Sequence, residues 1–181
     1  MKILSEKEAI LLLRKYAPSL KAFKIVLSHS QTVKKVALKI AQRIPEANIS
    51  FIKSAALLHD IGRFKYPPGK NSIKHGIAGA EILRKEGLAR YALLAERHLG
   101  VGITKHDIKE QRLALPLRHF VPKTLEEKIV SYADNLVFGN KVKIIDDVVM
   151  RFRKEIGDYI LPRIIAQHQE IMNLMKPIKN P

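Results

Sequence analysis

The chain has 181 residues, of which 46% are hydrophobic and 28% charged, near globular averages, so disorder and low-complexity architectures are excluded and one compact domain is expected. Cysteine is absent, which rules out disulfides, thiol catalysis and cysteine-based zinc fingers; any metal must be held by nitrogen and oxygen. The net charge is +16, a field that attracts nucleotides, nucleic acid or anionic surfaces.

Apolar residues recur at spacings of three and four nearly throughout, and alternating β-branched runs are scarce, so an all-α single-domain bundle is expected. The first stretch carries only the short apolar run from Ala9 to Leu13, flanked by Glu6 and Glu8, unlike a signal peptide or membrane span. A cytoplasmic location and no membrane partner follow as expectations. Ser5 and Glu8 form a capping-box pattern opening a helix that must stop near Tyr16, because Pro18 follows. A long helix is expected from about Ser19 to Ile44, with the stripe Ala22, Val26, His29, Val33, Val36, Ile40 and Ile44, before Pro45 ends it.

The next helix begins near Ser50 and runs through Ala55, Ala56, Leu57 and Leu58 into His59 and Asp60, with Gly62 as its expected stop. From Phe64 to Ile73 the chain is basic and irregular around Pro67, Pro68 and Gly69, a loop placed to cover a site. Helices are expected from His75 to Glu86 and from Leu88 to His98, then an irregular stretch around Pro116 and Pro122. A second capping box, Thr124 with Glu127, opens a helix through about Val137. Two more, near Ile144 to Ile156 and Leu161 to Met175, pack onto a motif-bearing core of about residues 19–138.

Within this frame His29 and Asp134 each interrupt an apolar stripe, Asp134 lying between Val130 and Val137, and His98 repeats the pattern behind Tyr91 and Leu94. A carboxylate turned inward must be paired, metal-bound or protonated. His59 and Asp60 end a strongly apolar helix, and neighbouring helical side chains diverge by about 100°, so both can flank one ion. Random order would give roughly 0.2 His-Asp pairs in a chain of this composition. The sequence holds a second, His106-Asp107, in a polar segment that reads as a solvated helix start. A histidine on an apolar face is more often a hydrogen-bonded core residue than a ligand, and His168 is read so; His119 is a loop residue, and Asp146 and Asp147 complement a helix dipole.

Together, His29, the string Ala-Ala-Leu-Leu-His-Asp-Ile-Gly ending at Gly62, and Ala133-Asp134 resemble the H…HD…D signature of the HD superfamily of metal-dependent phosphohydrolases. The resemblance implies a helical bundle with His29, His59, Asp60 and Asp134 as ligands of a divalent transition metal (manganese, iron, zinc, cobalt or nickel) that activates water against phosphomonoesters or phosphodiesters. It also implies that His75 and His98 match the two further histidines of the dinuclear subset, with Asp60 bridging two ions, as in HD proteins that cleave dinucleoside polyphosphates. The segments from His75 to Ala80 and from Glu96 to His98 are similar to an archaeal branch of unassigned substrate. The GYP element of cyclic-di-GMP phosphodiesterases is missing. Arg63 stands where many relatives carry lysine, keeping the charge with a different geometry.

The expected activity is hydrolysis of a phosphorylated small molecule, a nucleotide or dinucleoside polyphosphate, with Asp60 orienting the water and Arg63, Lys65, Lys70 and Lys74 holding phosphate oxygens. The bland reading of those lysines is solvated loop charge. Gly100 and Gly102 allow close approach to a substrate or form an ordinary turn. A different class, a basic RNA- or nucleotide-binding protein with a structural metal, would show affinity falling steeply with salt and no turnover. Aromatic residues are only 6% of the chain and form no stacking platform for unpaired bases, which favours the enzyme. A catalytically silent subunit fits less well, since every ligand position holds a competent residue.

Overall fold

The computed structural model describes residues 2–175. Among them the helices are α1 (Glu6–Tyr16), α2 (Leu20–Ala41), α3 (Ile49–Leu58), α4 (His75–Lys85), α5 (Ala89–Arg97), α6 (Lys105–Glu110), α7 (Leu125–Asn135), α8 (Ile145–Glu155) and α9 (Leu161–Leu174). The one sheet among the described residues is a hairpin, β1 (Val137–Phe138) with β2 (Lys141–Val142), so the class is all-α, as the periodicity indicates. No helix of the described residues is long and apolar enough to cross a membrane.

The main core forms where α2 lies across α3 and α7 while α4 packs on α5. Val33, Ala37, Ile52, Ala55, Leu58, Leu94, Ile129 and Ala133 are all buried there. A second cluster, Val148, Phe152, Ile160, Leu161 and Ile164, joins α8 to α9, and Leu136 packs against both clusters. The Ser5 and Glu8 capping box is complete, as expected, and Ser19 caps α2 by accepting from Ala22 N–H.

The structure departs from the sequence reading at five places. α2 ends at Ala41, not Ile44, because residues 42–44 close as turns ahead of Pro45. Gly62 does not stop α3; the helix closes at Leu58 and Gly62 sits inside a 3-10 turn, Ile61–Phe64, pressed on α4. Asp107 is buried rather than solvated: its carboxylate completes a capping box with Thr104 and accepts from Arg163 at 2.8 Å. Thr124 caps α7, but Glu127 does not return the bond; its carboxylate accepts from Lys123 N–H and Arg97. Finally α7 stops at Asn135, and Phe138-Gly139-Asn140-Lys141 turns the chain back as a hairpin, with Gly139 at a φ of 65°.

Candidate metal centre

Three of the four inner histidines stand where a helix ends. His59 is the C-cap of α3 and His98 the C-cap of α5, while His75 follows the 3-10 turn Ser72–Lys74 and opens α4. Each turns its Nδ1 back onto the carbonyl three residues earlier: Ala56 at 2.7 Å, Ser72 at 2.5 Å and Ala95 at 2.8 Å. Helix ends leave carbonyls without backbone donors, so the ring supplies one locally. His29, on the buried side of α2, places Nδ1 2.6 Å from Gly139 O in the hairpin turn.

A carbonyl oxygen only accepts, so all four Nδ1 atoms carry the proton. In the neutral rings Nε2 is then a lone pair. These lone pairs converge: His75 Nε2 and His98 Nε2 are 3.0 Å apart, two acceptors facing one another. His29 Nε2 and His59 Nε2 lie 2.9 and 3.4 Å from Asp134 Oδ1, again acceptor against acceptor. The Nε2 of His59 is buried with no hydrogen-bond partner among the described residues. Only protons or a cation make such a set of contacts favourable.

Asp60 stands between the two groups. Its Oδ1 is 3.0 Å from His75 Nε2 and 3.5 Å from His98 Nε2, and its Oδ2 is 3.8 Å from His29 Nε2 and 4.0 Å from His59 Nε2. Arg63 Nε donates to both Asp60 oxygens, at 3.2 and 3.3 Å, and fixes the carboxylate plane. His29, His59 and Asp134 form one grouping able to hold an ion, and His59, Asp60 and His98 another. The donor set is imidazole and carboxylate, which suits first-row transition metals. Each histidine has its second nitrogen engaged, the outer support that orients a ligand and fixes its tautomer. The C-terminal ends of α3 and α5 add a negative dipole end to the same place. The residues therefore fit a divalent metal.

The electrostatics agree. Burial lowers the pKa of His29, but Asp134 and Asp60 outweigh it and raise the value to about 9. Burial also opposes charge on His59, yet Asp60 and Asp134 raise its pKa. Burial would raise Asp60 and Asp134, but the surrounding imidazoles hold both carboxyls well below the usual range. His98 is shifted down, by burial first and by its neighbouring imidazoles, although Asp60 opposes this. Without a cation the site thus keeps two carboxylates ionised and favours protons on His29 and His59, while His98 favours its neutral form.

The centre opens on a cavity of about 350 Å³ walled by His75, His98, Asp134, Arg63, the 99–103 loop and residues of α8 and the turn after it. Gly100, at a φ of 54°, bends that loop, and its carbonyl accepts from Ser131 Oγ at 2.7 Å and Asn135 Nδ2 at 3.0 Å. Ionic contacts brace α5 as it delivers His98: Glu96 accepts from Arg84 and Arg118, and Arg97 donates to Glu127.

All six histidine and aspartate residues singled out as ligands come together, and Arg63 lies beside them on the cavity wall. The lysines do not: Lys65 is exposed and ion-pairs with Glu81 at 3.6 Å, Lys65 and Lys74 line a separate cavity of about 140 Å³, and Lys70 is exposed. His168 is structural, its Nδ1 2.6 Å from Tyr132 Oη. Sequence reasoning missed Gly139, whose carbonyl orients His29, and Asn135, next to Asp134. The Gly-Asn turn after an apolar pair was a signal for the first; nothing in the linear pattern pointed to the second.

Comparison with known proteins gives the family and the fold. The model of the HD domain family matches residues 26–139. An uncharacterized protein of Methanocaldococcus jannaschii is 44% identical over 153 residues, covering 83% of this chain and 87% of that one. Two proteins named tRNA (cytidine(56)-2'-O)-methyltransferase, from Picrophilus torridus and Thermoplasma volcanium, are 40% and 36% identical; the matches cover 83% and 93% of this chain but only 42% and 47% of theirs. Among solved structures, the HD domain of the Listeria monocytogenes phosphodiesterase PgpH superposes with a TM-score of 0.54 at 16% identity, covering 91% of this chain and 95% of that one. Its complex with cyclic-di-AMP gives 0.53 at 18%, covering 96% and 100%.

Proposed function

The chain belongs to the HD domain family, and from that premise we propose that it is a metal-dependent phosphohydrolase cleaving a phosphomonoester or phosphodiester bond of a nucleotide. The observation that carries this reading is the convergence of four Nε2 atoms, each on a ring whose Nδ1 is held by a carbonyl, and two carboxylates on one buried point beside a cavity. His29, His59, Asp60 and Asp134 would hold one divalent transition metal, and His75 and His98 with Asp60 a second. Such ions would lower the pKa of water toward neutrality and offset phosphate charge. Asp60 orients the donors around it and can take a hydrogen bond from the attacking water, while Arg63 keeps its plane fixed and presents positive charge to the cavity. The solved relative bound to cyclic-di-AMP supports nucleotides as the class to test.

The experiment is a screen of the purified protein, with manganese, iron, cobalt, nickel or zinc added, against nucleotides, dinucleoside polyphosphates, cyclic nucleotides and bis(p-nitrophenyl) phosphate. Phosphate release that disappears, together with bound metal, in the double variant His59→Ala/Asp60→Ala is the expected result. Full metal content in that variant would mean the centre is elsewhere. A second reading, an RNA- or nucleotide-binding protein whose metal is structural, is favoured by the +16 charge and by the two relatives named as tRNA methyltransferases. It predicts tRNA binding with a steep salt dependence and no turnover with any metal.

A further inference from the structure

Arg151 lies on α8, outside residues 26–139 matched by the family, yet it lines the same cavity as His75, His98 and Asp134. Its guanidinium sits 4.4 Å from the ring centre of Phe138 and 4.8 Å from that of Phe152. Stacking of this kind holds a guanidinium in place and removes water from its faces. The Nε is buried and has no hydrogen-bond partner among the described residues. Its ion pair with Glu155 is loose, 3.8 Å from Nε to a carboxylate that is 60% exposed, beyond hydrogen-bond length. The side chain as a whole is 30% exposed, so the cation lines the cavity with only a loose carboxylate as its ionic partner, and the acceptor that fits a guanidinium fork is a carboxylate or a phosphate.

We infer that Arg151 binds a phosphate oxygen of the substrate, opposite the metal-binding residues, and that α8 with the turn after it forms the wall receiving the attached nucleoside. The wall has the right chemistry for a flat group with polar edges. Phe152, Ile156 and Tyr159 give it an apolar face, the latter two exposed, and Gln111 hydrogen-bonds the Tyr159 hydroxyl at its rim. The volume, about 350 Å³, is at the low end of small-molecule sites, room for one nucleotide unit rather than two. The enclosed part of the substrate is therefore a mononucleotide or the terminal nucleotide of a longer chain. Arg63, whose Nε is committed to Asp60, positions that carboxylate, so the two arginines divide the labour.

The assignment rests on the phosphohydrolase reading for its meaning but is tested apart from turnover. AMP and inorganic phosphate are titrated calorimetrically into the manganese-loaded full chain, wild type, Arg151→Met and Arg151→Lys, with metal content measured in each. Arg151→Met keeps the apolar stem and should weaken AMP about 10- to 100-fold, as for loss of a hydrogen bond to a charged group, without altering bound manganese. Arg151→Lys keeps the charge without the fork and should recover part of the loss; if the methionine variant does not fold, a weakening of AMP by Arg151→Lys carries the test. AMP affinity within twofold of wild type in Arg151→Met, or no binding of AMP or phosphate to wild type, overturns the assignment. Lost AMP binding in a protein that hydrolyses nothing would keep Arg151 and refute the phosphohydrolase; turnover indifferent to Arg151 would do the reverse.

Discussion

Gly62 is the most informative single residue to change, because its hydrogen stands where no other side chain fits. A Cβ built there would lie 1.9 Å from the carbonyl oxygen of His75 and 2.5 Å from the backbone nitrogen of Gly79, both parts of α4 rather than yielding side chains. Ordinary contact begins near 3.4 Å, so Gly62→Ala must push the 3-10 turn and α4 apart by about 1.5 Å. Carried in full along the line from His75 to Asp60, that displacement widens their 3.0 Å approach to at most about 4.5 Å. Two donors sharing one ion at about 2.1 Å each can be no more than about 4.2 Å apart, so the His75 and His98 side of the centre should lose its metal. The His29, His59 and Asp134 side, on α2, α3 and α7, should keep its own. Overpacking of this kind costs about 1 to 3 kcal/mol, a fall in Tm of about 2 to 12 °C for a chain this size. Metal analysis of the purified variant beside a thermal melt reads both quantities. Wild-type Tm with full metal content would refute the claim that backbone contact at Gly62 positions His75.

Three further outcomes are expected. In the metal-free protein the His29 pKa, about 9, lies above its unfolded value of about 6.5, so the stability it contributes is fully present below pH 6.5 and lost as pH rises through 9. Melts of the metal-free chain should show up to about 3 kcal/mol lost across that window, while metal affinity rises over the same range as the proton is displaced; a flat profile would contradict the His29 to Asp134 pairing. Arg63→Met, which removes the donor to both Asp60 oxygens, should lower metal affinity or turnover about 10- to 100-fold with little change in Tm, and unchanged values of both would remove Arg63 from the support of the centre. Asn135→Ala deprives Gly100 O and Gln167 of a buried partner and should cost about 1 to 3 kcal/mol in chemical denaturation, whereas a neutral effect would show that Ser131 alone secures the loop.

Much of this was legible because helices advertise themselves locally. The spacing of Val26, His29 and Val33 placed a histidine on the inner face of α2, and the apolar run into His59 and Asp60 fixed the dyad at a buried helix end. Where the reading failed, the deciding contact was distant in sequence. Asp107 looked solvated until Arg163 on α9 reached it, Glu127 was drawn from its own helix start by Arg97, and Gly62 seemed a stop signal until α4 came down on it. Charge alone left the loop lysines open between phosphate contacts and solvated charge, because charge has no direction; the fold turns Lys65 and Lys74 toward another cavity.

Residue order by itself settled which chemical groups exist and which way each helix turns them, since side-chain direction follows a period of 3.6 residues and a cap is chosen by its near neighbours. It could not settle which groups meet. That Asp60 faces two pairs of imidazoles, that Gly139 orients His29 from more than a hundred residues away, and that an arginine on α8 shares their cavity follow only from packing, because close-packed helices fix positions that no local spacing encodes.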